Sequence, residues 1–518
     1  MVWQPEIEEM KLRQQLAEQM GGPEGIQRQH ERGKLTVRER VVKLSDPGSF
    51  HEIGKLAGAA TYDGEKLVNF RPANSVMGMC TINGRKAILN GGDFTVRGGA
   101  ADAAVGNKGA YGLRMALNWR LPFIRLLDAT GGSVRTFEQI GRTYIPDANE
   151  YCTINGELLN IAPCISAVLG SVAGLPAVEA CLAHWNVMVK GISQLFPGGP
   201  PVVKAALGYD ITKEELGDER TQVFESGVID NLANTEEEAF DMIRKFLSYL
   251  PSNVYEMPPR IQPADDPNRR EEKLLSAIPR DTKKGYNPYQ ILKWVLDKDS
   301  LFEIAPFYGR SRVTAFARVN GYPVGVMINN PMFLGGSMDV ASGSKVIRFL
   351  QLCNTFHLPM VYFADEPGFM VGLEAQRQGI IRAGAKMVLA TCATRMPWIT
   401  FITRQLFGVA GQNHNRPGGM YRRIAWPSGH WGSMHIEGGA SAAYRREIDS
   451  APDPEAKRLE IEGKLNAISS PFRTAEAFNI EEIIDPRDTR PILCDFIDMA
   501  QAEIKTQLGP TAGPSFCP

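Results

Sequence analysis

Two apolar runs in this chain end in turns of small residues, and the main-chain amides at those turns are its clearest chemical equipment. Residues 163–169 lead into Gly170-Ser171-Val172-Ala173-Gly174-Leu175-Pro176, and residues 397–403 lead into Arg404-Gln405-Leu406-Phe407-Gly408-Val409-Ala410-Gly411. Where a strand gives way to a helix, the first N–H groups of the helix have no intrahelical acceptor, and small side chains let a ligand approach them. Such donors can hold a carbonyl oxygen that gains negative charge during reaction. Two turns imply two oxyanion sites. Packing is the commoner reason for a single Gly-rich turn, so the weight lies on the occurrence of two at matching places.

Other chemistry is weaker in the sequence. His414, His430 and His435 form no compact ligand motif, so they read as hydrogen-bonded or surface histidines and no metal is expected. Met327, Met332 and Met338 read as core, and Trp426 and Trp431 as packing residues. No positioned pair of carboxylates follows the turns, which argues against hydratase chemistry.

The elements that carry the turns are duplicated. Residues 83–131 align without a gap on 320–368 at an offset of 237, with 13 identities in 49 positions, including Asn83-Gly84 on Asn320-Gly321, Lys108 on Lys345 and Asp128 on Asp365. Unrelated segments would share roughly 3. Each copy runs from an Asn-Gly turn to an apolar run, a Gly-Gly break, an Ala/Gly-rich helix-like stretch and, after Leu-Pro, a second apolar run ending in Asp and Gly. The alternation predicts α/β layers. A weaker echo of 46–53 at 296–304 extends the repeat toward its lead-in. The Pro-rich, charged stretch within 251–288 reads as a connector, giving an N-terminal domain over 1–255, a linker over 256–285 and a C-terminal domain over 286–518. Helices are expected over 6–19, stopped by Gly21-Gly22-Pro23, over 37–44 behind Thr36, over 235–250 and over 454–467. The tail from Gly509 reads as loose.

Composition narrows the role. With 518 residues and 43% hydrophobic content the chain can bury large cores, and a net charge of −1 argues against nucleic-acid or membrane-surface binding. The eight cysteines are scattered with no CxxC, which fits a reduced cytoplasmic protein. No apolar run approaches the length of a membrane span.

Several motifs carry a resemblance. They are 32–40 (RGKLTVRER), 46–50 (DPGSF), Glu214-Glu215-Leu216-Gly217, Ser226-Gly227-Val228, 247–251 (LSYLP), 365–369 (DEPGF), 379–386 (GIIRAGAK), Ile402-Thr403-Arg404 and Ala425-Trp426-Pro427. Over nearly its whole length the chain resembles the carboxyltransferase (beta) subunits of biotin-dependent acyl-CoA carboxylases, the propionyl-CoA and methylcrotonyl-CoA carboxylase beta chains. The resemblance implies an α/β fold of two tandem crotonase-like (ClpP/crotonase superfamily) domains built of repeated ββα units. It implies a homohexamer, a dimer of trimers, with the active site between the first domain of one chain and the second of another. Acyl-CoA would lie against the first domain. Biotin would lie against the second, borne by a separate biotin carboxylase or biotin carboxyl carrier subunit, because this chain shows neither a Met-Lys-Met biotin site nor an ATP-grasp region.

Residue by residue, the family's thioester-holding amides fall on Gly174 and Leu175, and its biotin-holding amides on Val409 and Ala410. Gly131, Gly132 and Arg135 resemble the family's Gly-Gly-Ala-Arg segment beside coenzyme A, while Gly408, Gly411 and Gln412 complete the second pocket. Leu175 and Val409 replace smaller residues, and either would resist a positive φ. The segment 413–419 also departs from the family's pattern, and the polar Gln412 points to a functionalised acyl group. The alternatives are a biotin-dependent acyl-CoA decarboxylase subunit running the same chemistry in reverse, and a non-catalytic assembly subunit of this fold.

Overall fold

The Asn-Gly turns are where the repeat becomes structure. Asn83 and Gly84 sit at φ 50° and 77°, and Asn320 and Gly321 at 49° and 79°, the left-handed pair that a two-residue hairpin needs for its twist to match the strands. Each turn joins two antiparallel strands, Ser75–Ile82 to Arg85–Gly92 and Arg312–Val319 to Tyr322–Asn329. Each is also held by one carboxylate. Asp46 accepts from the amides of Asn83 and Gly84 at 2.9 and 2.8 Å, and Asp297 from those of Asn320 and Gly321 at 3.1 and 2.8 Å. The echo seen at 296–304 is therefore a true second copy of the lead-in.

The computed structural model describes residues 2–263, 265–414, 418–511 and 516, so most of the tail from Gly509 and residues 415–417 of the departing segment lie outside the described residues. The chain divides into a unit ending at Glu256 and a unit beginning at Met257. Within each unit an eight-stranded sheet follows one plan: two antiparallel pairings, then parallel pairings to the far edge, with one short strand branching from the central ten-residue strand. In the first sheet that central strand is Cys164–Ala173, in the second Trp398–Phe407. Helices Lys108–Trp119 and Val340–Thr355 make the crossovers. The strands that precede the central ones, Phe123–Ala129 and Met360–Glu366, are buried along their whole length, as parallel strands covered on both faces are.

Helix Val37–Leu44 carries a full capping box, with Thr36 and Glu39 serving each other's backbone, and helices Glu236–Tyr249 and Pro454–Ile468 stand where the sequence places them. The first helix ends at Glu18, before Gly21-Gly22-Pro23 as expected, and a second begins at Gly22 with Pro23 in its first turn, where its missing N–H costs nothing. One expectation is corrected. The segment 256–285 is not a free connector. Leu274 is buried in the second unit's core, Arg269 pairs with Asp265 at 2.9 Å, and Arg318 donates to the Pro259 carbonyl at 2.9 Å. Its prolines fix turns in a segment that packs.

Among the described residues no helix is long and apolar enough to cross a membrane.

Candidate functional site

Both central strands end in a glycine with positive φ followed at once by a short helix. Gly174 stands at φ 68°, ψ −135° before helix Leu175–Cys181, and Gly408 at φ 63° opens the turn Gly408–Gly411. The glycine takes the conformation that a Cβ would oppose, so Leu175 and Val409 escape positive φ. Their side chains turn outward, 44% and 53% exposed, and do not seal the turns.

The amides differ from expectation at one position. The Gly174 N–H donates to the Pro197 carbonyl at 3.1 Å, closing the turn on its own chain. The N–H of Leu175, next along, meets no acceptor among the described residues, and neither do those of Val409 and Ala410 in the second turn. The first turn thus offers Leu175, and the second offers both expected donors.

Each turn borders a cavity. In the first unit a cavity of about 740 Å³ brings together Gly131, Gly132, Gly174 and Leu175. A Cβ on Gly131 would lie 2.4 Å from the Ala173 oxygen, so glycine there lets the two turns touch. Arg135 is not brought in. It opens the exposed helix Arg135–Ile140 away from this lining. In the second unit a cavity of about 410 Å³ is lined by Gly408, Val409, Gly411 and Gln412, while Ala410, 2% exposed, stands behind the wall. His414 also lines it. Its Nδ1 donates to the Gly411 carbonyl at 2.7 Å, its Nε2 is buried without a partner, and burial holds the imidazole's pKa below the usual range. The carbonyl requires the proton on Nδ1, which leaves Nε2 as a bare acceptor.

The repeated aspartates anchor these sites and are spent in doing so. Asp128, fully buried, accepts from Lys34 at 2.9 Å, Arg40 at 3.1 Å and Gln29 at 2.9 Å. Arg40 reaches on to Glu236 and to the Leu169 carbonyl. Asp365 accepts from Arg404 at 2.9 Å, from the Tyr286 hydroxyl at 2.9 Å and from the Gln405 amide at 3.0 Å. With neighbouring cations and donors filling their lone pairs, both aspartates fix the strand ends beside the turns and are not free to take a substrate proton.

Three polar residues of the first cavity escaped the sequence reading. Lys108 lies there with its Nζ on the Ser75 carbonyl at 2.8 Å, its pKa lowered by burial. Tyr151 and Glu179 line the cavity as well, with the charge of buried Arg125 acting on both. Burial raises the Glu179 carboxyl and pushes the Tyr151 phenol up to about 12. The sequence reading looked for a pair of carboxylates after the turns, and the first half has a single one, Glu179. The signal was present in the spacing, since Glu179 stands four residues after Leu175, one helical turn.

Known proteins share this fold. The carboxyl transferase domain matches residues 28–511. The propionyl-CoA carboxylase carboxyltransferase subunit of Haloferax mediterranei is 32% identical over 513 residues, 98% of each chain. The methylmalonyl-CoA carboxyltransferase 12S subunit of Propionibacterium freudenreichii subsp. shermanii is 33% identical over 506 residues, 97% of this chain and 95% of that one. The solved hexameric transcarboxylase 12S, with methylmalonyl-coenzyme A bound, superposes with a TM-score of 0.87 at 31% identity over 99% of this chain and 98% of that one. The fold and its paired turns define a carboxyltransferase of two tandem crotonase-like units. The chain belongs to the carboxyl transferase family.

Proposed function

We propose that the chain is the carboxyltransferase component of a biotin-dependent acyl-CoA carboxylase, with the first-unit cavity taking the acyl-CoA and the second-unit cavity the biotin. The observation that carries the reading is the pair of turns whose amides, Leu175 in one half and Val409 with Ala410 in the other, are left without acceptors beside cavities.

A thioester α-carbon gives up its proton only when the enolate oxygen is stabilised. One well-placed N–H contributes about 3 kcal/mol to such an oxygen, and the Leu175 amide is the donor this turn presents. The Gly132 amide nitrogen lies close by, 3.8 Å from where a Cβ on Gly174 would stand, which makes it the second donor we assign to the thioester oxygen. Gly174 then serves by geometry, holding the turn through Pro197. On the other side, two adjacent N–H groups suit a ureido carbonyl, so the residues fit biotin, and Val409 and Ala410 would hold that oxygen. Bound carboxybiotin would supply the carboxyl group and, once free of it, a nitrogen base for the α-proton. Asp128 and Asp365, already paired, have no step to perform.

Biotin would arrive on a biotin carboxylase or biotin carboxyl carrier subunit, and six copies of this chain would assemble as a dimer of trimers. A cytoplasmic setting fits cysteines such as Cys80 and Cys164, which are buried in the core, with burial pushing their thiols up to about 11 and about 12. Decarboxylation is the second reading, favoured by 30% identity over 489 residues to the methylmalonyl-CoA decarboxylase subunit alpha of Veillonella parvula.

The test is carboxyl exchange by the purified chain between methylmalonyl-CoA and free biotin, followed by chromatography of the CoA esters. Biotin-dependent appearance of propionyl-CoA supports the reading. No exchange with any of a panel of carboxylated CoA esters, by a chain that chromatographs as a hexamer, would leave an assembly subunit.

A further inference from the structure

We propose that Glu179 and Tyr151 form a polar reader in the wall of the first-unit cavity, selecting an acyl-CoA whose acyl chain carries a hydroxyl group. The inference rests on the proposed function, since it takes that cavity as the acyl site.

Position is the first argument. Glu179 belongs to the helix that begins at Leu175, four residues on, and residues so spaced have Cβ atoms about 5–6 Å apart on one face. Side chains on a helix lean toward its N-terminus, so the carboxyl reaches back toward the amide that would hold the thioester oxygen. Tyr151 reaches the same cavity from helix Asn149–Leu158, so both side chains face one space.

The second argument is what the cavity's other charged groups are doing. Asp128 is occupied by Lys34 and Arg40, and Lys108 by the Ser75 carbonyl. Behind the pair lies Arg125, fully buried, whose Nη1 donates to the Leu182 carbonyl at 3.0 Å and whose Nη2 donates to Asn155. The Arg125 charge acts on both Tyr151 and Glu179, so the pair presents to the cavity a carboxyl and a phenol whose charge is balanced from behind.

The chemistry selects among acyl chains. A hydroxyl both donates and accepts, so it satisfies the carboxyl in either protonation state while Tyr151 supports it from the side. An alkyl chain would strip water from the pair and return nothing, and a carboxylate-terminated chain would meet like charge. Sites built to hydrogen-bond a substrate hydroxyl reject the analogue lacking it far better than apolar pockets reject an extra methylene.

Calorimetric titration of the full chain with butyryl-CoA, 3-hydroxybutyryl-CoA and 4-hydroxybutyryl-CoA tests this directly. At least one hydroxylated ester should bind about tenfold or more tighter than butyryl-CoA, the scale of one hydrogen bond to a charged group. Glu179→Ala should bring the ratio to within about twofold of unity, and Tyr151→Phe, which keeps the ring, should lower it in the same direction even if Glu179→Ala fails to fold. Equal binding of all three esters by the wild type, or a preference that survives both substitutions, overturns the proposal. Carboxyl exchange separates this from the underlying reading: exchange without a hydroxyl preference sinks the reader alone, and a preference lost in the variants without any exchange sinks the carboxyltransferase reading alone.

Discussion

The amide of Gly174 donates to the carbonyl of Pro197 at 3.1 Å, so the donor this turn leaves for a ligand is the next one, on Leu175. Leu175→Pro removes that hydrogen at a first-turn position where helices accept proline. It should lower kcat/KM for acyl-CoA by about a hundredfold or more, with the melting temperature little changed. Leu175→Ala, which keeps the amide, should lose far less. Equal losses in the two variants would show that the side chain, not the N–H, matters.

Gly174→Ala should cost more than activity. At φ 68°, ψ −135° a Cβ is strained, and such backbone positions cost on the order of 1–3 kcal/mol. Urea unfolding should show that loss, together with reduced acyl-CoA turnover as the turn re-aims Leu175.

Asp365→Asn leaves the buried guanidinium of Arg404 without its carboxylate, and Asp128→Asn does the same to Lys34, while Arg40 keeps Glu236. Removing one partner of a buried pair costs about 3–5 kcal/mol, so each variant should lower the unfolding free energy obtained from urea titration by that amount. A loss of activity at unchanged stability would instead make these aspartates chemical participants.

Burial lowers the pKa values of His414 and His430. A histidine whose folded pKa lies below its unfolded value takes up its proton first in the unfolded chain, so its contribution is fully present above the unfolded pKa, about 6.5, and is lost as pH falls through that value toward the folded one. Stability should therefore decline on acidification from pH 7.5 to 5. His414→Gln should flatten part of that decline in denaturant titrations, and an unchanged pH profile would contradict the assignment.

Much of this was legible because it was written twice. Asn83-Gly84 and Asn320-Gly321 announced the hairpins, and the gapless offset between Asp128 and Asp365 announced two copies of one sheet. Thr36 read as an N-cap, and the structure adds its partner Glu39 to make a capping box. What stayed hidden depends on contacts distant in sequence. No local pattern says that the Gly174 amide is taken by Pro197, or that Leu274, inside a Pro-rich charged stretch, is buried in a core. Glu179 hid differently. A search for a paired motif passed over a single carboxyl one helical turn beyond Leu175, and only its place in the cavity wall makes it conspicuous.

The central claim, one reactant to each half's amides, is tested most directly by comparing Leu175→Pro with Ala410→Pro in the carboxyl exchange assay while acyl-CoA and biotin are varied separately. The account predicts a split: Leu175→Pro weakens calorimetric binding of CoA esters and leaves the KM for biotin unchanged, and Ala410→Pro raises the KM for biotin while CoA esters bind as before. Identical effects of the two substitutions on both reactants, or no effect of either, would contradict it.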